Sequence, residues 1–210
     1  MASNVLQSET QSSDEDRAAR RERDAELVQE AQAGKMDAFD ELVTAYRGNV
    51  YAMIVNMVRN EADAWDLAQD TFVKAWKALP KFEARSSFYT WIYRIAHNVT
   101  YDWLRKKKVQ GDELDDLNSG QIDMAAPTAP KFDPKPDQAM ANSELGQRIA
   151  VAIEQLSDDH RSVILLREVE GLSYDEIAKV TECSTGTVMS RLYYARKKLQ
   201  DTLKDLNPDR

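Results

Sequence analysis

Cysteine is almost absent from this sequence. Cys183 is the one thiol in 210 residues, so no disulfide can close within the chain. Histidine is nearly as scarce, with His97 and His160 alone, which leaves no Cys/His set for zinc. Neither a metal nor a cofactor is expected. No run of about 18 apolar residues occurs, so nothing is built to span a membrane. The Ser-, Glu- and Arg-rich start lacks the apolar core of a signal peptide. A cytoplasmic, reducing location is the simplest expectation. There is no Gly-rich phosphate loop, and no nucleophile–base–orienter group can be placed, which argues against an enzyme. A basic excess is missing too: the formal net charge is −8, whereas DNA-binding domains are usually basic. The total, however, hides how sign is distributed along the chain.

What is present is helical periodicity. Phe39, Leu42, Val43, Tyr46, Val50, Ile54 and Val58 form one apolar stripe. Leu67, Ala68, Thr71, Phe72, Ala75, Trp76 and Leu79 form a second, and Phe88, Trp91, Ile92, Ile95, Ala96, Val99 and Trp103 a third. All fit a 3.6-residue period, and no segment alternates as a strand does. Pro80 ends the second helix, and Ser86 or Ser87 caps the third. Residues 1–24, with SSDED followed by RAARRER, read as a flexible or frayed helical extension. Residues 25–108 read as a small all-α domain.

The composition changes at Val109. Between there and Asn142 stand seven carboxylates, two lysines and the four prolines Pro127, Pro130, Pro134 and Pro136. Residues 109–143 therefore read as an extended acidic linker with little to bury. Helical pattern resumes over 144–207. Ser157 offers a cap, Ser173-Tyr-Asp-Glu176 a capping box, and Ser184 another cap. The fold class expected is all-α, with two small helical domains joined by a Pro-rich linker.

Two local constellations point toward nucleic acid. Helices at about 174–180 and 185–203, separated by Thr181-Glu182-Cys183-Ser184, make a helix-turn-helix pattern, in which the second helix lies in the major groove. From Thr185 to Lys204 five cations stand against only Asp201, so an acidic protein carries a locally basic reading element. In the first half, Arg105, Lys106, Lys107 and Lys108 end a helix that also carries Tyr89, Trp91, Tyr93, Tyr101 and Trp103. Cations at a helix C-terminus complement its dipole; cations interleaved with aromatics also suit opened DNA. The stripe places Trp91 and Trp103 in the core and leaves Tyr93 and Tyr101 as the exposed candidates. On the second helix, Asp63, Asp66, Gln69 and Asp70 form a polar strip, which is either a solvated face or a docking strip for a basic protein. The helix-turn-helix alone also fits a regulator that binds duplex DNA unaided.

Taken together these residues resemble the extracytoplasmic-function sigma factors. The first half carries "AFDELVTAYRGNVY", "DAWDLAQDTFVKAWKALPKF" and "SSFYTWIYRIAHNVTYDWLRKKK"; the second carries "LSDDHRSVILLREVEGLSYDEIAKVTECSTGTVMSRLYYARKKL". The resemblance implies a non-enzymatic subunit with a sigma-2 domain and a sigma-4 domain that gives RNA polymerase its promoter choice. It implies that Asp66, Leu67, Gln69 and Asp70 dock on the β′ clamp helices of core polymerase. It places Phe82, Ser86, Ser87 and Phe88 on a loop that captures a flipped −10 base, with Asn98 against that base. Arg94 and Arg105, Lys106 and Lys107 then hold the DNA backbone. It assigns Ser184, Thr185, Thr187, Met189, Ser190, Arg191, Tyr193, Tyr194, Arg196 and Lys197 to the −35 element. The linker is implied to thread the polymerase. Core polymerase, including its β flap, and promoter DNA are the implied partners, with an anti-sigma protein as a further one.

This chain departs from the pattern at two positions. Met189 follows Gly-Thr-Val where many members have Arg, and Tyr194 stands where a basic residue is common. A bidentate Arg–guanine contact is worth roughly 1–3 kcal/mol of discrimination. A different −35 preference is therefore expected, with thymine methyls against Met189 or Tyr193.

Overall fold

The structure is a computed structural model that describes the backbone of residues 2–114 and 144–206, and side chains from 17 to 109 and from 145 to 205. All regular structure among the described residues is helical. The first half has four helices: α1 (Ala2–Gln32), α2 (Met36–Val58), α3 (Glu61–Ala78) and α4 (Phe88–Leu114), with a 3₁₀ turn at Leu79–Lys81. The second half has α5 (Glu144–Glu154), α6 (Asp158–Ile164), which runs into a π turn at Leu165–Val169, α7 (Tyr174–Val180) and α8 (Thr185–Thr202).

Local chemistry sets these boundaries. Gly34, at φ 96°, turns the chain between α1 and α2. Asn60 caps α3 by accepting from the Asp63 amide at 3.0 Å. Pro80 sits inside the 3₁₀ turn, where its missing N–H leaves no bond unmade. The Ser87 hydroxyl, not that of Ser86, accepts from the Thr90 amide at 3.1 Å and starts α4. Ser157 and Ser184 cap α6 and α8, and Ser173 with Glu176 forms the reciprocal capping box of α7.

Two expectations are corrected. The extension 1–24 is not set apart from the first domain. One helix runs through it to Gln32, because its Ala-, Glu- and Arg-rich sequence favours helix. Asp24, only 5% exposed, anchors that helix by accepting a short hydrogen bond from the Tyr46 hydroxyl. Burial raises the Asp24 carboxyl pKa, against the opposing effects of Tyr46, Arg20 and Arg23. The linker likewise begins later than residue 109, because α4 continues to Leu114; its prolines start only at Pro127. The remainder of the linker lies outside the described residues.

The stripes read from the sequence form the core of the first half: Leu42, Val50, Ile54, Ala75, Ile92 and Ala96 are all fully buried. Phe39 packs on Trp76 at 4.9 Å between ring centres. In the second half Val163, Leu166, Ile177, Val180, Val188 and Ala195 close a smaller core. The two cores meet. Helix α7 packs on α4, and α6 reaches α2.

Candidate nucleic-acid interface

The reading helix, α8, has a sharply divided surface. Val188, Leu192 and Ala195 are buried, while Met189, Tyr193 and Tyr194 are more than half exposed, and Ser190, Arg196 and Lys197 are also exposed. Tyr193 and Tyr194 meet edge to face at 5.3 Å. The cap residues are occupied locally. The Ser184 hydroxyl accepts from the Thr187 amide at 3.1 Å, and Thr185 donates to Asp175 at 3.0 Å. Two of the cations are also engaged within the second half: Arg196 with Glu168 at 2.7 Å, and Arg191 with Asp159 through a short contact. The outward surface is thus Met189, Ser190, Tyr193, Tyr194 and Lys197, an apolar-aromatic patch beside a cation.

On α3, Asp66, Gln69 and Asp70 are exposed on the face opposite Ala64, Ala68 and Ala75. Asp63 is turned toward Lys107 at 3.9 Å. Leu67 is not exposed with the strip. At 7% exposed it packs in the core of the free chain, as its place on the second stripe requires.

The loop after α3, the start of α4 and Lys179 of α7 line an open hollow of about 310 Å³, with Lys81, Phe82, Arg85, Ser86, Trp91 and Arg94 among its residues. That is the low end of small-ligand sites. Phe82 packs tilted against Trp91 at 4.7 Å between ring centres and meets Phe88 edge-on at 6.5 Å. Phe88 is 3% exposed and also packs on Tyr46, so in the free chain it supports the loop from within. Arg94, Arg105, Lys106 and Lys107 are exposed, the last above the Trp103 ring at 4.4 Å.

The structure adds a second stripe on α4 that the sequence reading missed. Thr90, Tyr93, His97 and Tyr101 face the second half, and carboxylates meet them. Thr90 donates to Glu176 at 3.1 Å, Tyr101 donates to Asp159 at 2.7 Å, and the Asn98 amide donates to Glu182 at 3.2 Å. Glu170, 8% exposed, accepts from Tyr89 at 2.9 Å, from Asn49 at 3.4 Å and from Tyr93 in a short bond. Tyr93 is fully buried and Tyr101 half-buried, which corrects the expectation that both stand free. Burial, followed by Glu170, pushes the Tyr93 phenol far above its ordinary range. Burial depresses the pKa of His97, which stacks on Tyr101 at 4.3 Å. Burial opposes ionisation of Glu176, yet hydrogen bonds from Ser173 and Thr90 and the charge of Arg21 pull its carboxyl below the usual value.

Arg161 went unnoticed in the sequence as well. It is 4% exposed and donates to the carbonyls of Glu154 at 2.9 Å, Leu156 at 2.8 Å, Ile153 at 3.3 Å and, across the seam, Met57 at 3.2 Å. No signal short of its position after a Ser cap marks it as buried.

A polar strip on one helix, an aromatic-lined loop beside cations, and a helix-turn-helix in one chain fit a two-module DNA-binding transcription protein. Residues 42–109 match the sigma-70 region 2 family, and residues 146–199 match the sigma-70 region 4 family. The RNA polymerase sigma-H factor of Pseudomonas aeruginosa is 37% identical over 185 residues, covering 88% of this chain and 96% of that one. The sigma-E factor of Escherichia coli K12, of the extracytoplasmic-function group, is 35% identical, covering 87% of this chain and 95% of that one. Among solved structures, the Bartonella quintana sigma factor RpoE in complex with the anti-sigma factor NepR aligns with a TM-score of 0.62 at 27% identity, over 82% of this chain and 98% of that one. The chain belongs to the extracytoplasmic-function sigma factors of the sigma-70 family, subunits of RNA polymerase that direct promoter-specific initiation.

Proposed function

We propose the following division of labour for this chain. Asp66, Gln69 and Asp70 dock on the basic clamp helices of the polymerase β′ subunit, and the second domain seats on the β flap. The hollow at Phe82, Ser86 and Trp91 receives an extruded −10 base, with Asn98, one turn beyond Arg94, as a further contact to it and Arg94, Arg105, Lys106 and Lys107 on the backbone. Extrusion costs a few kcal/mol of stacking, which hydrogen bonds and ring contacts can offset. The exposed face of α8 reads the −35 element, with Met189 and Tyr193 as the apolar contacts. The functional domains are 25–108, to which the rest of α1 and the end of α4 are continuous extensions, and 144–207. An anti-sigma protein that clamps the two domains is a fitting partner, since RpoE of Bartonella quintana was solved with one. The subunit itself is non-enzymatic and works in the cytoplasm.

The observation that carries this reading is the split of α3 and α8: Ala64, Ala68 and Ala75 of α3 are buried while Asp66, Gln69 and Asp70 are exposed, and Val188, Leu192 and Ala195 of α8 are buried while Met189, Ser190, Tyr193, Tyr194, Arg196 and Lys197 are exposed. Acidic charge on α3 suits a basic partner. Core polymerase would hold both DNA-contacting surfaces in one assembly, so a net charge of −8 is no obstacle to promoter binding.

The test is run-off transcription from genomic fragments with reconstituted core enzyme, comparing the unchanged chain with Asp66→Arg/Asp70→Arg. Specific transcripts are expected from the former, with at least tenfold weaker core binding for the latter at unchanged helix content. Full core binding by the double variant would reject the docking assignment. Specific duplex binding without polymerase would favour an autonomous regulator.

A further inference from the structure

The apolar stripe by which α1 packs on the first domain, Val28 and Ala31, continues upstream in the same register through Asp24 to Arg21 and Arg17. At those last two positions the helix overhangs the second domain. Arg21 pairs with Glu176 at 3.1 Å, on the capping box that starts the helix-turn-helix. Arg17 donates to the carbonyl of Gly171 at 3.2 Å. Gly171, at φ 66°, leaves the space that this guanidinium fills: a Cβ there would come within 2.4 Å of Arg17 Nη2. Both arginines thus reach from the first half of the chain to neighbouring points in the second, 154 and 155 residues away in sequence. Arg20 and Arg23 stay with the first domain. Arg23 pairs with Glu41 at 2.8 Å, and Arg20 acts on Asp24, Tyr46 and Tyr89.

We propose that the segment from Arg17 to Asp24 is an intramolecular latch, which holds the helix-turn-helix domain over the Thr90–Asn98–Tyr101 face of α4 in the free chain. This rests on the reading above in one respect: the latched face includes Asn98, assigned there to the −10 base. While the latch is closed, Glu176, Glu182 and Asp159 occupy donors that DNA would need. Core polymerase must separate the domains to seat them on two surfaces, so the latch sets a threshold on core binding. Each contact is exposed and of modest strength, roughly two- to fivefold in the closed–open equilibrium. Two such contacts suit a catch that yields on binding.

The experiment uses the full chain in a Cys183→Ser background, spin-labelled at Val73→Cys and Gln200→Cys, two exposed positions on α3 and α8. Distances are measured by pulsed electron resonance without DNA or polymerase. The latched chain should give one narrow distribution. Arg17→Ala/Arg21→Ala should add a longer, broad component, and Arg21→Glu, facing Glu176, should add more of it. Both side chains are exposed, so helix content should hold, as circular dichroism will show. Core-polymerase affinity should rise about 4- to 25-fold in the double variant, the product of two such contacts. Distributions that stay identical overturn the latch. Distributions that broaden while core affinity stays constant uphold the latch and overturn instead the reading that the domains must part to dock.

Discussion

The bond from Tyr93 to Glu170 is the most informative single contact to remove. Tyr93 is fully buried on α4, and its hydroxyl reaches a carboxylate from the other domain. Tyr93→Phe removes one oxygen and leaves the ring against Tyr89, 4.7 Å between centres. A hydrogen bond to a charged group contributes about 1.5–3 kcal/mol. Glu170 keeps Tyr89 and Asn49 as donors, so the loss belongs at the low end, about 1.5 kcal/mol. Urea unfolding of the full chain measures it. Trp65, Trp76, Trp91 and Trp103 all lie in the first domain, so fluorescence follows that domain while far-ultraviolet dichroism follows both. A cycle with Glu170→Gln isolates the pair, and a coupling of at least about 1 kcal/mol is expected. If the two changes add within about 0.3–0.5 kcal/mol, the bond does not join the domains and the closed geometry is wrong.

Other outcomes follow from the same coordinates. Above pH 10 the unfolded chain ionises its tyrosines while buried Tyr46, Tyr89, Tyr93 and Tyr101 stay protonated, so stability should fall as pH rises, and Tyr93→Phe should take about 1.4 kcal/mol per pH unit off that slope; below pH 10 neither state ionises and no effect is expected. Leu67→Arg should unfold the first domain, whereas Asp70→Arg should leave its urea midpoint in place, which separates core from docking strip. Arg161→Met should cost about 3 kcal/mol by stranding buried carbonyls, read from the urea midpoint. Met189→Ala should lower transcription about fourfold at one −35 position and leave the other positions unchanged, as a panel of single-base promoter variants would show.

The first layer of the fold was legible because it is written locally. A 3.6-residue stripe places Leu42, Val50, Ile92 and Ala96 inward whatever else the chain does, and Ser157, Ser173 and Ser184 mark helix starts by a bond within three residues. Tyr93 was misplaced because α4 has two covered faces. Its apolar stripe meets the first domain, while Thr90, Tyr93, His97 and Tyr101, at spacings of three and four, make a second stripe. That periodicity was visible, yet nothing in it says that carboxylates 58 to 86 residues downstream will cover it. The acidic residues that do so, at 159, 170, 176 and 182, read as solvated charge until their partners are seen. Leu67 was the opposite case. Its place on the second stripe already assigned it to the core, and the family motif led it to be counted as surface.

That second stripe bears on how an acidic chain handles DNA. On α4, hydroxyl and amide donors lie beside the exposed cations Arg94 and Arg105–Lys108, a surface suited to phosphates and base edges. In the closed chain carboxylates of the second domain occupy those donors. Glu176, its carboxyl held below the usual value, stays ionised near neutrality and keeps accepting from Thr90. DNA and the chain's own second domain are then rivals for one set of donors, and two rivals for one surface cannot both be bound. Free DNA has to displace a tethered competitor, whose effective concentration is set by the linker. Under the proposed docking, core polymerase would meet no such handicap, because Asp66, Gln69 and Asp70 are exposed while the seam is closed. The order of events follows from this placement. On the proposed roles, core would engage α3 first, the domains would part as the second one finds its seat, and only then would Asn98 and its neighbours be released for the −10 element. An increase in −10 single-strand binding on adding core, abolished by Asp66→Arg/Asp70→Arg and partly restored without core by Arg17→Ala/Arg21→Ala, would establish that order. Equal single-strand binding by the free chain and its latch variant would refute it.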